Sequence, residues 1–142
     1  MNIKKIMQEI TDNGGVSFRP ETDVRPTSGY VVSVSGFNEK VDEDTFSEKV
    51  LEDYIGRVGR IVNDIPSLYI GVWNHSGRVF MDLSANYTDL ESAIRAGLVG
   101  NQMAIYDVIR NRDINLPIWN GTDRLDTVVQ RAVNNAAPQP EV

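Results

Sequence analysis

The chain has 142 residues, a formal net charge of −6, no cysteine and one histidine. That length suits one domain with an ordinary core. The missing cysteines exclude disulfides, thiolate catalysis and cysteine metal sites, and a single histidine cannot form a His cluster. The acidic balance argues against general affinity for a nucleic-acid backbone, although it is compatible with plain solubility and with DNA mimicry.

Ile3, Ile6, Met7 and Ile10 recur at helical spacing, so residues 2–12 read as a short amphipathic helix ended by Asn13-Gly14-Gly15. Val16-Ser17-Phe18 reads as a short extended piece. Residues 19–29 hold two prolines and a glycine and read as a loop, with Arg19 and Arg25 as its local positive charge. Tyr30 to Ser35 is a strand, turned by Gly36-Phe37-Asn38. An acidic run follows: Glu39, Asp42, Glu43, Asp44, Glu48, Glu52 and Asp53. The expectation is that Asp44 or Thr45 caps a long helix there, with Glu48 completing a Thr-x-x-Glu box. Phe46, Val50, Leu51, Tyr54, Ile55, Val58, Ile61 and Val62 give that helix an apolar stripe to about residue 63.

LYIGVW (68–73) and RVFMDLSA (78–85), joined by Asn74-His75-Ser76-Gly77, read as a β-hairpin. Thr88 and Glu91 form a capping box for a helix that ends at Gly100. Residues 103–108 form a strand, 114–116 a short edge strand limited by Pro117, and 122–134 a C-terminal helix capped by Thr122. Residues 134–142 are expected to be a disordered tail. The resulting expectation is one α+β domain over residues 1–133, with a βαββαβ core at about 30–108. This is a ferredoxin-like sandwich, a four-stranded antiparallel sheet with two helices on one face and added terminal helices.

Strand parity sharpens the picture. If Leu68, Ile70, Val72, Val79, Met81 and Leu83 face the two helices, then Tyr69, Trp73, Phe80 and Tyr106 lie on the helix-free face. Such an aromatic patch asks for cover: a terminal helix, a second copy of the chain, or a stacked planar ligand. No catalytic or phosphate-binding motif is present. His75 reads as a solvated turn residue. Asp82 reads as an edge-facing, hydrogen-bonded strand carboxylate rather than a buried acid with a perturbed pKa, and Asp107 likewise; acid–base work or cation binding by such a pair is the sharper alternative.

The segments GGVSFRPETDVRPTSGYVVSV, LYIGVWNHSGRVFMDLSANYTDLESAIRAG and NQMAIYDV resemble a group of small uncharacterised proteins from actinobacterial phages, prophages and mobile elements. The likeness rests on Gly14-Gly15, Pro26 to Tyr30, Asp82 and Asn101 to Asp107, covering about residues 14–116. It implies a mobile-element setting and transfers no activity. The first functional expectation is a non-enzymatic accessory protein that binds a host or phage protein, or a second copy of itself. Its surfaces would be Asp42, Glu43 and Asp44 at the acidic helix start and the Tyr69, Trp73, Phe80, Tyr106 face. The alternative is a small-molecule or nucleotide binder that sequesters its ligand against host defence, using Arg19, Arg25, Tyr30, Asn101 and Gln102. A third reading is a small enzyme using Asp82 or Asp107. No cofactor or metal is implied. The apolar runs are too short for a membrane span and the N-terminus lacks a signal-peptide core, so the expected location is the cytoplasm, that of the bacterial host for a phage-encoded chain.

Overall fold

A computed structural model describes residues 2–22 and 24–136. The expected tail at 134–142 lies outside these from residue 137 on; residues 134–136 instead complete a helix. The elements in chain order are α1 (Ile3–Asn13), β1 (Gly15–Phe18), β2 (Tyr30–Ser33), β3 (Glu39–Asp42), a 3-10 turn (Glu43–Thr45), α2 (Glu48–Asp64), β4 (Leu68–His75), β5 (Arg78–Tyr87), α3 (Leu90–Val99), β6 (Ala104–Asp107), β7 (Arg112–Asn115) and α4 (Leu125–Ala136). The protein is therefore α+β, with four α-helices and seven strands in open antiparallel sheet structure among the described residues. It has two compact units, residues 1–26 with 34–85, and 27–33 with 86–142.

In the first unit β4 and β5 form the hairpin, in register from Leu68↔Ala85 to His75↔Arg78. The connection is shorter than NHSG suggested. His75 is in the strand, and Ser76 (φ 53°) and Gly77 (φ 79°) make a two-residue turn with both residues left-handed, the geometry that matches strand twist. β1 pairs with β4, Gly15 opposite Trp73. β3 pairs with β5, Val41 opposite Val79 and Lys40 opposite Phe80. Ile6 and Ile10 of α1 and Leu51, Tyr54, Val58 and Val62 of α2 pack on Ile70, Val72, Val79, Met81 and Leu83, all buried. The expected inward parity of the hairpin is thus met. The Tyr54 hydroxyl donates to the Phe37 carbonyl at 2.8 Å, which satisfies the polar end of a ring that is otherwise core.

The starts of α2 and α3 also differ from expectation. Glu39–Asp42 is a strand and Glu43–Thr45 a 3-10 turn, so the acids at 42–44 precede the long helix rather than start it. The cap is Ser47, whose hydroxyl accepts from the Val50 amide at 3.3 Å, not Asp44 or Thr45. Likewise α3 is capped by Asp89, whose carboxylate accepts from the Ser92 amide at 2.9 Å, one residue beyond Thr88. That bond holds the Asp89 carboxyl below its ordinary pKa.

In the second unit β6 lies between β2 and β7, antiparallel to both. Ile105 and Ile114 meet across β6 and β7, and α3 and α4 close over them with Ile94, Leu98, Val128, Val129 and Ala132. α3 comes close at Gly97, where a Cβ would stand 3.1 Å from Ile105 Cγ2. α4 begins at Leu125; before it the Asn120 side chain, not Thr122, accepts from the Thr122 and Asp123 amides.

Candidate partner-binding face

The face of the first unit opposite α1 and α2 carries Tyr69, Gly71, Trp73 and His75 from β4 and Arg78, Phe80, Asp82 and Ser84 from β5. Trp73 and Phe80 are direct cross-strand partners. Their rings stack at 4.5 Å between centroids with 13° between planes, and His75 lies 6.0 Å from Trp73. Trp73 Nε1 donates to Asp82 Oδ2 at 3.3 Å, and Ser84 Oγ donates to Asp82 Oδ1 at 2.8 Å. Trp73 remains 40% exposed, whereas Asp82 is 5% exposed, buried rather than edge-facing as expected because Trp73 and Ser84 close over its carboxylate. A buried, hydrogen-bonded carboxylate therefore anchors an exposed indole.

Two glycines make room for this arrangement. A Cβ on Gly71 would overlap Asp82 Oδ1, and one on Gly15 would stand 2.8 Å from Trp73 Cβ. Lys40 and Asp42 of β3 share the face through their pairs with Phe80 and Arg78, and Asp42 lies 4.0 Å from Arg78. Glu43 and Asp44 are exposed on the adjoining 3-10 turn. The face thus has an aromatic centre and a mixed-charge rim. Parity found Trp73 and Phe80. The same alternation put Ser84 there; sequence reasoning missed Gly71 and the place of His75, and the signal available for the glycine was its position directly opposite Asp82 in the hairpin register.

α1 does not cover this face. Its buried Ile6 and Ile10 belong to the core on the other side of β4 and β5, so the expectation of an N-terminal cover is corrected: the same hydrophobic stripe that could have capped the aromatics completes the α2 layer instead. Tyr106 belongs to the second unit, opposite Val31 and Asp113, with its hydroxyl on the Asn111 side chain. Burial, then Asp113 and Asp107, raise its pKa.

The expected ligand set is divided between the two units. Arg19 Nη1 donates to the Ile65 and Leu68 carbonyls at 3.0 and 2.6 Å, pinning the α2–β4 connection. Arg25 pairs with Glu9 at 3.1 Å and lies 5.7 Å from the centre of the Phe18 ring. In the second unit Tyr30 sits opposite Asp107, while Asn101 (φ 55°) and Gln102 close the C-terminus of α3, donating to the Leu98 and Gly97 carbonyls.

Asp107 is 2% exposed and accepts from the Arg110 amide, Arg110 Nη1 and Arg112 Nε, each at 3.3 Å. Burial pushes its pKa up, but the amide and the two guanidiniums outweigh burial and hold the carboxyl below its ordinary range. Arg112 also donates to the Ala136 carbonyl at 2.8 Å, which ties β7 to the end of α4. No group of three or more possible metal ligands occurs among the described residues, and no helix among them is long and apolar enough to cross a membrane. No protein-family model matches the chain, and no significant match was found to a curated protein or a solved structure.

Proposed function

We propose that this chain is a non-enzymatic accessory protein of a phage or other mobile element, and that it acts by binding a host or phage protein through the Trp73–Phe80 face. The observation that carries the reading is the indole: 40% exposed, stacked on Phe80 and tethered to a buried carboxylate. Aromatic anchors of this kind dominate the energetics of protein interfaces, and an anchor already held in place loses little freedom on binding. Lys40, Asp42 and Arg78 supply the polar rim that such interfaces have. The mobile-element setting rests on the resemblance described above.

A ferredoxin-like core is part of the same proposal. It is supported by the β-α-β-β-α-β order from β2 to β6, by the β4–β5 hairpin, and by the pairing of the first and last strands of that series, β2 and β6. β1, β3 and β7 are additions to that pattern.

The test is affinity capture by the tagged chain in its bacterial background, comparing wild type with Trp73→Ala and with Arg60→Ala, an exposed control on α2. A protein captured by wild type and by Arg60→Ala but lost with Trp73→Ala supports the reading. Identical capture by all three overturns it.

A further inference from the structure

β7 ends the sheet structure of the second unit, and its outer edge has no strand partner among the described residues. The hydrogen-bond alternation says which groups point there. The Leu116 amide donates to the Met103 carbonyl, so in the β6–β7 register Ile114 and Arg112 also bond inward, to Ile105 and Asp107. The Val108 amide donates to the Gly29 carbonyl, which independently turns the backbone groups of Tyr106 and Ala104 toward β2. The N–H and C=O groups of Asp113 and Asn115 therefore point outward from the edge.

We propose that a second copy of this chain pairs with β7 edge to edge, antiparallel, about a two-fold axis at Ile114. In that register Asp113 of one copy exchanges main-chain hydrogen bonds with Asn115 of the other, and Ile114 faces its own counterpart. Their side chains are complementary, a carboxylate acceptor opposite an amide donor, and no like charges are opposed. The flanking residues fit the same axis. Ile109 is 70% exposed and Ile118 is 87% exposed. Ile109 lies in the turn that leads into β7 and Ile118 lies past its other end, so antiparallel pairing brings the turn of one copy to the end of the strand from which Ile118 of the other leaves. On the helix side, an open cavity of about 220 Å³ lies between β7 and α4, lined by Arg112, Asp113 and Asn135 as well as by Ile114, Pro117 and Ala132. A second copy on the β7 edge would border it. The proposal is independent of the Trp73–Phe80 reading, which concerns the first unit.

Analytical ultracentrifugation of the full chain tests it, with two variants. Asn115→Pro removes an outward N–H without touching a bond to β6, and Ile118→Asp changes an exposed side chain outside any helix or strand. Wild type should sediment at twice 15.9 kDa. Each variant should weaken the dimer about tenfold or more, the factor that corresponds to loss of a hydrogen bond or an apolar contact per copy. In wild type, exchange of the Asp113 and Asn115 amides should slow as concentration rises. A wild-type monomer at about 100 µM overturns the proposal. So does a dimer that Ile118→Asp leaves intact, one dissolved by Trp73→Ala, or concentration-dependent protection at Gly15 and Ser17 of the β1 edge in place of β7.

Discussion

Replacing Asp107 with Asn should cost stability at neutral pH and cost almost nothing in acid. The wild-type carboxylate accepts three bonds, all at 3.3 Å, and two come from guanidiniums. Bonds to a charged group contribute about 1.5–3 kcal/mol each when short and buried. Here they are long, and the Arg110 and Arg112 side chains are 47% and 38% exposed, so solvent screens them. The net loss in Asp107→Asn is then about 2 kcal/mol, because the amide oxygen can still receive the Arg110 backbone N–H. For a chain of this size that corresponds to a fall in melting temperature of about 4–8 °C.

The pH dependence has a definite sign. The folded pKa of Asp107 is depressed below the unfolded value of about 3.9. Its contribution is therefore complete above that value and is lost as pH falls through it toward the folded pKa. Urea unfolding of wild type and variant at a series of pH values should give a gap that is constant above about pH 5 and closes below about pH 4. A gap that persists unchanged in acid, or a variant as stable as wild type at neutral pH, would refute this account of Asp107.

Two further substitutions probe the first unit. Ser47→Ala should destabilise by about 1 kcal/mol through loss of the α2 cap, while Thr45→Ala should change stability by less than about 0.5 kcal/mol, both read by urea unfolding; the reverse order would restore the cap expected from the acidic run. Gly71→Ala drives a methyl group into the Asp82 carboxylate and should cost about 1–3 kcal/mol. It should also alter the near-ultraviolet dichroism of the Trp73–Phe80 stack, and an unchanged spectrum would mean that Asp82 does not position the indole.

The hairpin and α3 were legible because each carries a local signal, alternation with a turn ending at Gly77 or an apolar helical stripe; β7 was legible only in part, since the strand is Arg112–Asn115 where 114–116 was expected. β3 was not. Glu-Lys-Val-Asp has weak strand propensity, and its pairing is a tertiary event in which Val41 joins the core opposite Val79 while Glu39 reaches Arg57 of α2 at 2.7 Å. The same acids that suggested a helix start are accounted for by that strand and the turn after it. The periodicity of α1 announced an apolar stripe but could not say which face of the hairpin it would meet. Parity placed Trp73, Phe80 and Asp82 on one side; it could not reveal that Asp82 is buried there, since its carboxylate occupies the space left by the absent side chain of Gly71.

The two units are each assembled from two separate stretches of chain. The hairpin unit holds no residue beyond Ala85, whereas β6, which pairs with the early-synthesised β2, is made only after α3. During synthesis the first core can therefore condense before the second is complete, and the Tyr30–Asp107 pairing closes a long loop late. Residues such as Leu51 and Ile70 should accordingly influence early steps of folding, and Ile105 and Val129 the last one. A chain truncated after β5 would keep the first core's residues but lack β6, whose Asp107 stands opposite Tyr30.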